Sequence, residues 1–142
     1  MEELNQIIEV EFEVKSLNQL LKKHWSFYKD YKDRWRDHIS AKLARCRLRP
    51  VGMIEVEIIA YVSRLMDEDN FIGGTKPIPD TLISLGWILD DSTKLVKVVR
   101  RQEKAKYLGI KTVLETKKGK VFRKKKKVYD EKVVIKINGL YE

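Results

Sequence analysis

Hydrophobic and polar residues alternate from Ile7 to Lys15: Ile8, Val10, Phe12 and Val14 fall on one face, Glu9, Glu11, Glu13 and Lys15 on the other. A period of two predicts a half-buried strand. After a polar, aromatic-studded connection from Ser16 to Asp30, the period lengthens. Tyr31, Trp35, Ile39, Leu43 and Cys46 recur at three or four residues, which predicts an amphipathic helix from about Asp30 to Arg47. Pro50 and Gly52 should end it. Met53 to Val62 reads as a second strand. Its alternation of Ile54, Val56, Ile58 and Ala60 gives way to Ile59, Tyr61 and Val62, so its end is apolar on both faces, as suits a central strand.

The acidic stretch Asp67-Glu68-Asp69-Asn70 follows, then a predicted loop holding Gly73-Gly74. A short helix is predicted from Lys76 to Leu85, with Pro77 and Pro79 in its first turn, Ile78, Leu82 and Leu85 as its buried stripe, and Gly86 as its C-terminal cap. Trp87 to Leu89 is a brief apolar stretch, and three further strands are expected at Leu95–Val99, Ile110–Leu114 and Lys132–Ile137. The order implies one mixed α+β (α/β) domain over residues 1–142, a sheet of four to five strands with two helices packed on it. A basic hairpin or loop insertion is expected at about 115–130.

The chain has 142 residues, one domain's length, and a formal net charge of +9 with a pI of about 9.6. A small domain this basic tends to meet a polyanion, nucleic acid first among them; a Lys- and Glu-rich solubility surface is the plain alternative. Lys117 to Lys127 holds eight basic residues in eleven: Lys117, Lys118, Lys120, Arg123, Lys124, Lys125, Lys126 and Lys127. Beside the reading as a solvated hairpin tip stands that of an arm for the DNA backbone. The helix carrying Arg34, Arg36, Lys42 and Arg45 is the other basic candidate. The lone cysteine, Cys46, excludes an intrachain disulfide and zinc-ligand spacing, and is expected as a small buried hydrophobe on a helix. The start, Met1-Glu2-Glu3, is acidic where a signal peptide would be basic, and no apolar run reaches membrane-spanning length. A soluble, cytoplasmic protein without membrane partners is expected.

Candidate chemistry concentrates between Asp67 and Asp91. On extended chain Asp67 and Asp69 point the same way and Glu68 the other. Lys76 and Asp80, four apart on the predicted helix, share a face, and Asp90-Asp91 ends the next apolar stretch. Carboxylates gathered from separate elements repel one another unless a hard cation such as Mg²⁺ neutralises them. Such a cation, in a phosphodiester-cleaving site, activates a water and stabilises phosphoryl charge, to which Lys76 would add. The bland reading is a turn and helix-cap cluster, which Asp and Asn favour. A calcium EF-hand is excluded by Phe71, Ile72 and Ile78 at its fifth, sixth and twelfth positions, and a P-loop by Thr75 preceding Lys76. His24 and His38 lack ligand partners at metal spacing. Trp25, Phe27, Tyr28 and Tyr31 fit packing better than base stacking.

Asp67-x-Asp69-Asn70, Lys76-x-x-x-Asp80-x-Leu82, Gly86 and Asp90-Asp91-Ser92, in that order over 26 residues, resemble the central signature of the RusA family of Holliday-junction resolvases. Ser16-Leu17-Asn18 is similar to that family's Asn-containing loop after its first strand. Two features depart from the pattern: the segment from Asn70 to Lys76 is longer than in the best-known member, and the chain after Val99 is longer and more basic. The resemblance implies a RusA-like fold and a homodimeric, Mg²⁺-dependent endodeoxyribonuclease (Mn²⁺ substituting) that nicks four-way junctions and related branched DNA in recombination or repair. Asp67, Asp69 and Asp91 match the metal-binding, catalytic acids and Lys76 the essential lysine, with Asn70, Asp80 and Asp90 as supporting positions. The alternative is a non-catalytic nucleic-acid-binding module whose acids are structural.

Overall fold

A computed structural model describes residues 1–90 and 92–142. Ten elements follow in order: β1 (Glu2–Val10), α1 (Leu17–Leu21), α2 (Trp25–Lys42), β2 (Pro50–Val62), α3 (Glu68–Thr75), α4 (Pro77–Ser84), β3 (Val96–Lys104), β4 (Tyr107–Lys117), β5 (Lys120–Tyr129) and β6 (Lys132–Tyr141). The architecture is mixed α and β. Four strands form one sheet in the order β1-β6-β2-β3, and β4 and β5 pair only with each other in a second sheet. Within the larger sheet β1/β6 and β6/β2 are antiparallel and β2/β3 parallel.

The alternation read in the sequence decides which face is buried. Ile54, Val56, Ile58, Ala60 and Val62 of β2 line up with Val133, Ile135 and Ile137 of β6 and with Ile8 and Val10 of β1, and all are buried. The helices supply the opposing layer through Leu20, Tyr31, Trp35, Ile39, Phe71, Ile78 and Leu82. On the other face Glu9 pairs with Lys132 at 2.9 Å, Glu57 lies 3.9 Å from Arg101, and Ile7 is exposed. A sheet covered on one side and largely solvated on the other accounts for the period of two, which Ile59, buried on the far face, interrupts near the end of β2. Among the described residues, no helix is long and apolar enough to cross a membrane.

Several sequence expectations change. The first strand is Glu2–Val10, not Ile7–Lys15; Phe12 and Val14 pack on the core from the connection that follows. Among the described residues four helices form rather than two; the main sheet has four strands, within the expected four to five, and two further strands pair apart from it. The long helix starts at Trp25, six residues before the hydrophobic stripe begins at Tyr31, because His24 caps it by accepting a hydrogen bond from the Ser26 N–H. It stops at Lys42, so Cys46 is not helical: it is half-buried in the segment leading to β2, and its N–H donates to the Leu85 carbonyl. Pro50 begins β2 and does not terminate the helix.

The α4 prediction holds closely. Pro77 occupies its first position. Gly86, at φ +81°, closes its end in a Schellman motif, with Gly86 N–H donating to Ile83 and Trp87 N–H to Leu82. Of the two forms expected for the basic segment, a hairpin or a loop insertion, the structure has the hairpin. It is strand β5 paired along its length with β4 around a two-residue turn, Lys118-Gly119, both at positive φ as a type I′ hairpin requires.

Candidate functional site

Of the acids of the Asp67–Asn70 stretch only Asp67 is on extended backbone. Asp67 is the N-cap of α3, and Glu68 and Asp69 lie in its first turn. The physical reason is the helix terminus itself: its free N–H groups and positive end favour carboxylates, so Asp-Glu-Asp followed by Asn and Phe starts a helix as readily as it binds a cation. Asp67 Oδ1 accepts from the Asn70 N–H at 2.9 Å, and its Oδ2 accepts from Asn70 Nδ2 at 2.9 Å. Those hydrogen bonds, the backbone one first, hold the Asp67 pKa below the ordinary carboxylate range. Asn70 in turn accepts from the Asn18 N–H through Oδ1 at 2.7 Å, tying α1 to the start of α3.

The loop before Asp67 is also fixed. Gln102 of β3 clamps Met66 from both sides, accepting from its N–H at 3.0 Å and donating to its carbonyl at 2.7 Å. Ser63 N–H donates to Glu131. Asp67 to Asn70, with Leu17, Asn18 and Leu21 of α1, then line an open cleft of about 530 Å³. Asn18, in helix α1 rather than in the expected loop, lines this cleft together with the acids.

Gly73 and Gly74 are helical, a correction to the predicted loop. A Cβ at Gly74 would collide with the Lys15 carbonyl oxygen, and one at Gly73 would meet the Leu17 side chain at 2.6 Å. The pair lets α3 seat against the β1–α1 connection, and the Tyr31 hydroxyl locks the seat by donating to the Gly74 carbonyl at 2.6 Å while accepting from Lys15 N–H at 3.1 Å. Burial pushes the Tyr31 pKa up to about 12.

Lys76 bridges the end of α3 and the start of α4. Seven residues from Asp69 is two helical turns, so the two share a face, separated by about 10 Å along the axis. They line different clefts: Lys76 borders a depression shared with Asp80, Thr93 and Arg100. Asp80 is exposed and also faces Lys32 and Arg36 of α2. Asp90 is exposed in the segment between α4 and β3. Asp91, the third expected metal ligand, lies outside the described residues. Among those described, no three His, Cys, Asp or Glu side chains converge so as to hold a metal ion.

Arg100 is a residue that the sequence reading passed over. Its Cα lies opposite that of Ile58, on the helix-covered side of the sheet, where Val96 and Val98 precede it. Its Nε donates to the buried Thr75 hydroxyl at 2.9 Å, and it makes no ion pair among the described residues. Burial lowers its pKa, yet a guanidinium stays charged at neutral pH. The parity of β3, with a cation falling on the Val96 face, was the available signal.

The donor chemistry suits a hard cation in part. Asp67 keeps one lone pair free on each oxygen after capping. Asp69 is exposed and has no partner among the described residues. No protein-family model matches the chain, and no curated protein matches it either.

Proposed function

We propose that this protein is a Mg²⁺-dependent endodeoxyribonuclease of the RusA kind acting on branched DNA. The carrying observation is the coincidence of an ordered acid series with an open, solvent-facing cleft: Asp67 and Asp69 stand at its rim, where a phosphodiester can reach them. In this reading Asp67 and Asp69, with Asp91, hold the cation, Asn70 orients Asp67, and Asn18 lines the approach. The bound cation would supply an activated water and charge for the phosphoryl oxygens. Lys76, two turns beyond Asp69 at the end of α3, and Arg100 of β3 offer positive charge to the flanking phosphate, while the basic β4–β5 hairpin holds the DNA. A two-fold dimer would present two equivalent sites to the two strands of a four-way junction.

One observation favours a second reading, a non-catalytic nucleic-acid-binding module. Asp67 Oδ1 caps α3 and its Oδ2 accepts from the Asn70 side chain, so both oxygens already have a structural partner. A labelled four-way junction incubated with and without Mg²⁺ decides between them. Nicking that needs Mg²⁺ and vanishes in Asp69→Asn supports the nuclease; tight junction binding without Mg²⁺-dependent nicking supports the module.

A further inference from the structure

The net charge of this protein is almost all in one place. Between residues 107 and 129 lie nine of the chain's 30 basic residues and one of its 21 acids, so the β4–β5 hairpin carries +8 of the total +9 and the rest of the chain only +1. The helix that competed for the role of basic surface is locally neutralised: Arg34 pairs with Asp30 at 3.3 Å and Arg36 with Asp33 at 3.2 Å. Among the described residues none of the nine basic side chains of the hairpin makes an ion pair, and all nine are exposed.

The register distributes this charge over both faces of the ribbon, because residues directly opposite in an antiparallel pair share a face. Ile110 faces Lys127, Thr112 faces Lys125 and Leu114 faces Arg123 on one side. Lys111 faces Lys126, Val113 faces Lys124 and Lys117 faces Lys120 on the other. Like charges directly opposite each other destabilise a strand pair, and an isolated two-stranded ribbon is marginal to begin with. This ribbon also exposes Ile110, Leu114, Val121 and Phe122. It is therefore a structure that a polyanion lying along both faces would complete.

Dimensions select the polyanion. Eleven residues of β4 at ~3.3 Å each make an arm about 36 Å long, near one turn of B-form DNA. A single sheet with its side chains is about 10 Å thick, against a major groove about 12 Å wide. A flat anionic surface such as a membrane could meet only one face at a time. The major groove of double-stranded RNA is deep and too narrow for side chains to read.

We propose that the β4–β5 ribbon stands in the major groove of double-stranded DNA, with the basic residues of its two faces each meeting one of the two phosphate walls. This rests on the nucleic-acid half of the reading above and not on catalysis. An unbranched duplex tests the arm and junction nicking tests the acids, so either can fail alone.

The experiment compares salt titrations of affinity for one unbranched DNA duplex among wild type and two triple variants, R123Q/K125Q/K127Q and K120Q/K124Q/K126Q. Each lost phosphate contact flattens the slope of log affinity against log salt by about 0.9, so each triple variant should flatten it by about two to three units. Over a fourfold rise in salt, wild type should lose about 40-fold more affinity than either variant. A third variant with Arg at Lys120, Lys124 and Lys126 should keep the wild-type slope, which separates lost charge from lost folding. A change confined to one triple variant overturns groove insertion, since the arm then lies flat on the DNA. No change in either overturns the arm as a DNA contact. Wild-type slopes that are equal on double-stranded RNA, or binding to phosphatidylserine vesicles as tight as to duplex DNA, also overturn it.

Discussion

Gly74→Ala tests how α3 is seated, and with it the position of Asp67, Asp69 and Asn70. In a loop, an alanine here would be neutral or slightly favourable. In an exposed helix it would stabilise by about 1 kcal/mol. The structure reverses that sign, because the new methyl would collide with the Lys15 carbonyl, a backbone atom that cannot rotate away. Overpacking of this kind costs about 1–3 kcal/mol. Shifting α3 to relieve it would separate the Gly74 carbonyl from the Tyr31 hydroxyl, a buried bond of 2.6 Å, at about 1–3 kcal/mol more. Net of helix propensity, the loss is about 1–5 kcal/mol, or about 10 °C in Tm at the middle of that range for a domain this size. Gly73→Ala would meet the Leu17 side chain from its Cβ outward, at 2.6 Å, and a Cβ moves only with its backbone, so this variant should be destabilised as well. Urea denaturation of the two variants and wild type is the assay. A Gly74→Ala protein as stable as wild type would refute the packing of α3 against Lys15.

Tyr31 gives a pH dependence. Its folded pKa of about 12 lies above the ordinary 10, so the folded state holds the proton more tightly and stability is fully present below pH 10. Between pH 10 and 12 wild type should lose up to about 3 kcal/mol, a loss that thermal melts should find reduced in Tyr31→Phe. Asp67 works in the opposite direction. Its depressed pKa contributes stability above the unfolded carboxylate pKa that fades as pH falls through the folded one, and an NMR titration of Asn70→Ala should show the Asp67 pKa moving up. Asp69→Asn should abolish Mg²⁺-dependent nicking while junction binding, followed by gel shift, is kept or tightened, since the lost charge also repels phosphate. Lys76→Ala should slow single-turnover nicking by about 10²-fold with an unchanged melt; a rate within twofold of wild type would detach its cleft from the chemistry.

Where the sequence was legible, one physical signal dominated. β2 and β6 alternate because one face of the sheet is covered and the other is wet, and α4 carries both a proline start and a glycine stop. Helix α3 was hidden for the opposite reason. Its eight residues include two glycines, and few apolar positions form a stripe, so its helicity comes from the Asp67 cap and from packing against Lys15 and Leu17 rather than from propensity. The start of α2 was hidden because Trp25 is exposed and the first turn has no buried position. Strand β5 has almost no apolar pattern, and only its pairing with Ile110 to Leu114 makes it a strand. For the candidate site, residue identity and order were readable, whereas the separation of Lys76 from the acids depended on α3 being a helix.

The distribution of charge links the arm to the cleft. Asp67, Glu68 and Asp69 crowd three carboxylates onto one helix start, and a phosphate backbone would avoid that corner unless something held it there. Two things can. A cation between the acids and the DNA cancels the repulsion locally, and an arm carrying +8 on a body carrying +1 supplies the affinity from elsewhere. Under the nuclease reading the arm's many phosphate contacts make DNA binding steeply salt-dependent, whereas a single cation in direct contact with carboxylates depends on salt less steeply. Raising salt should therefore release DNA from the protein before it removes metal from the acids. Under the nuclease reading, activity lost at high salt should return on raising protein concentration and not on raising Mg²⁺.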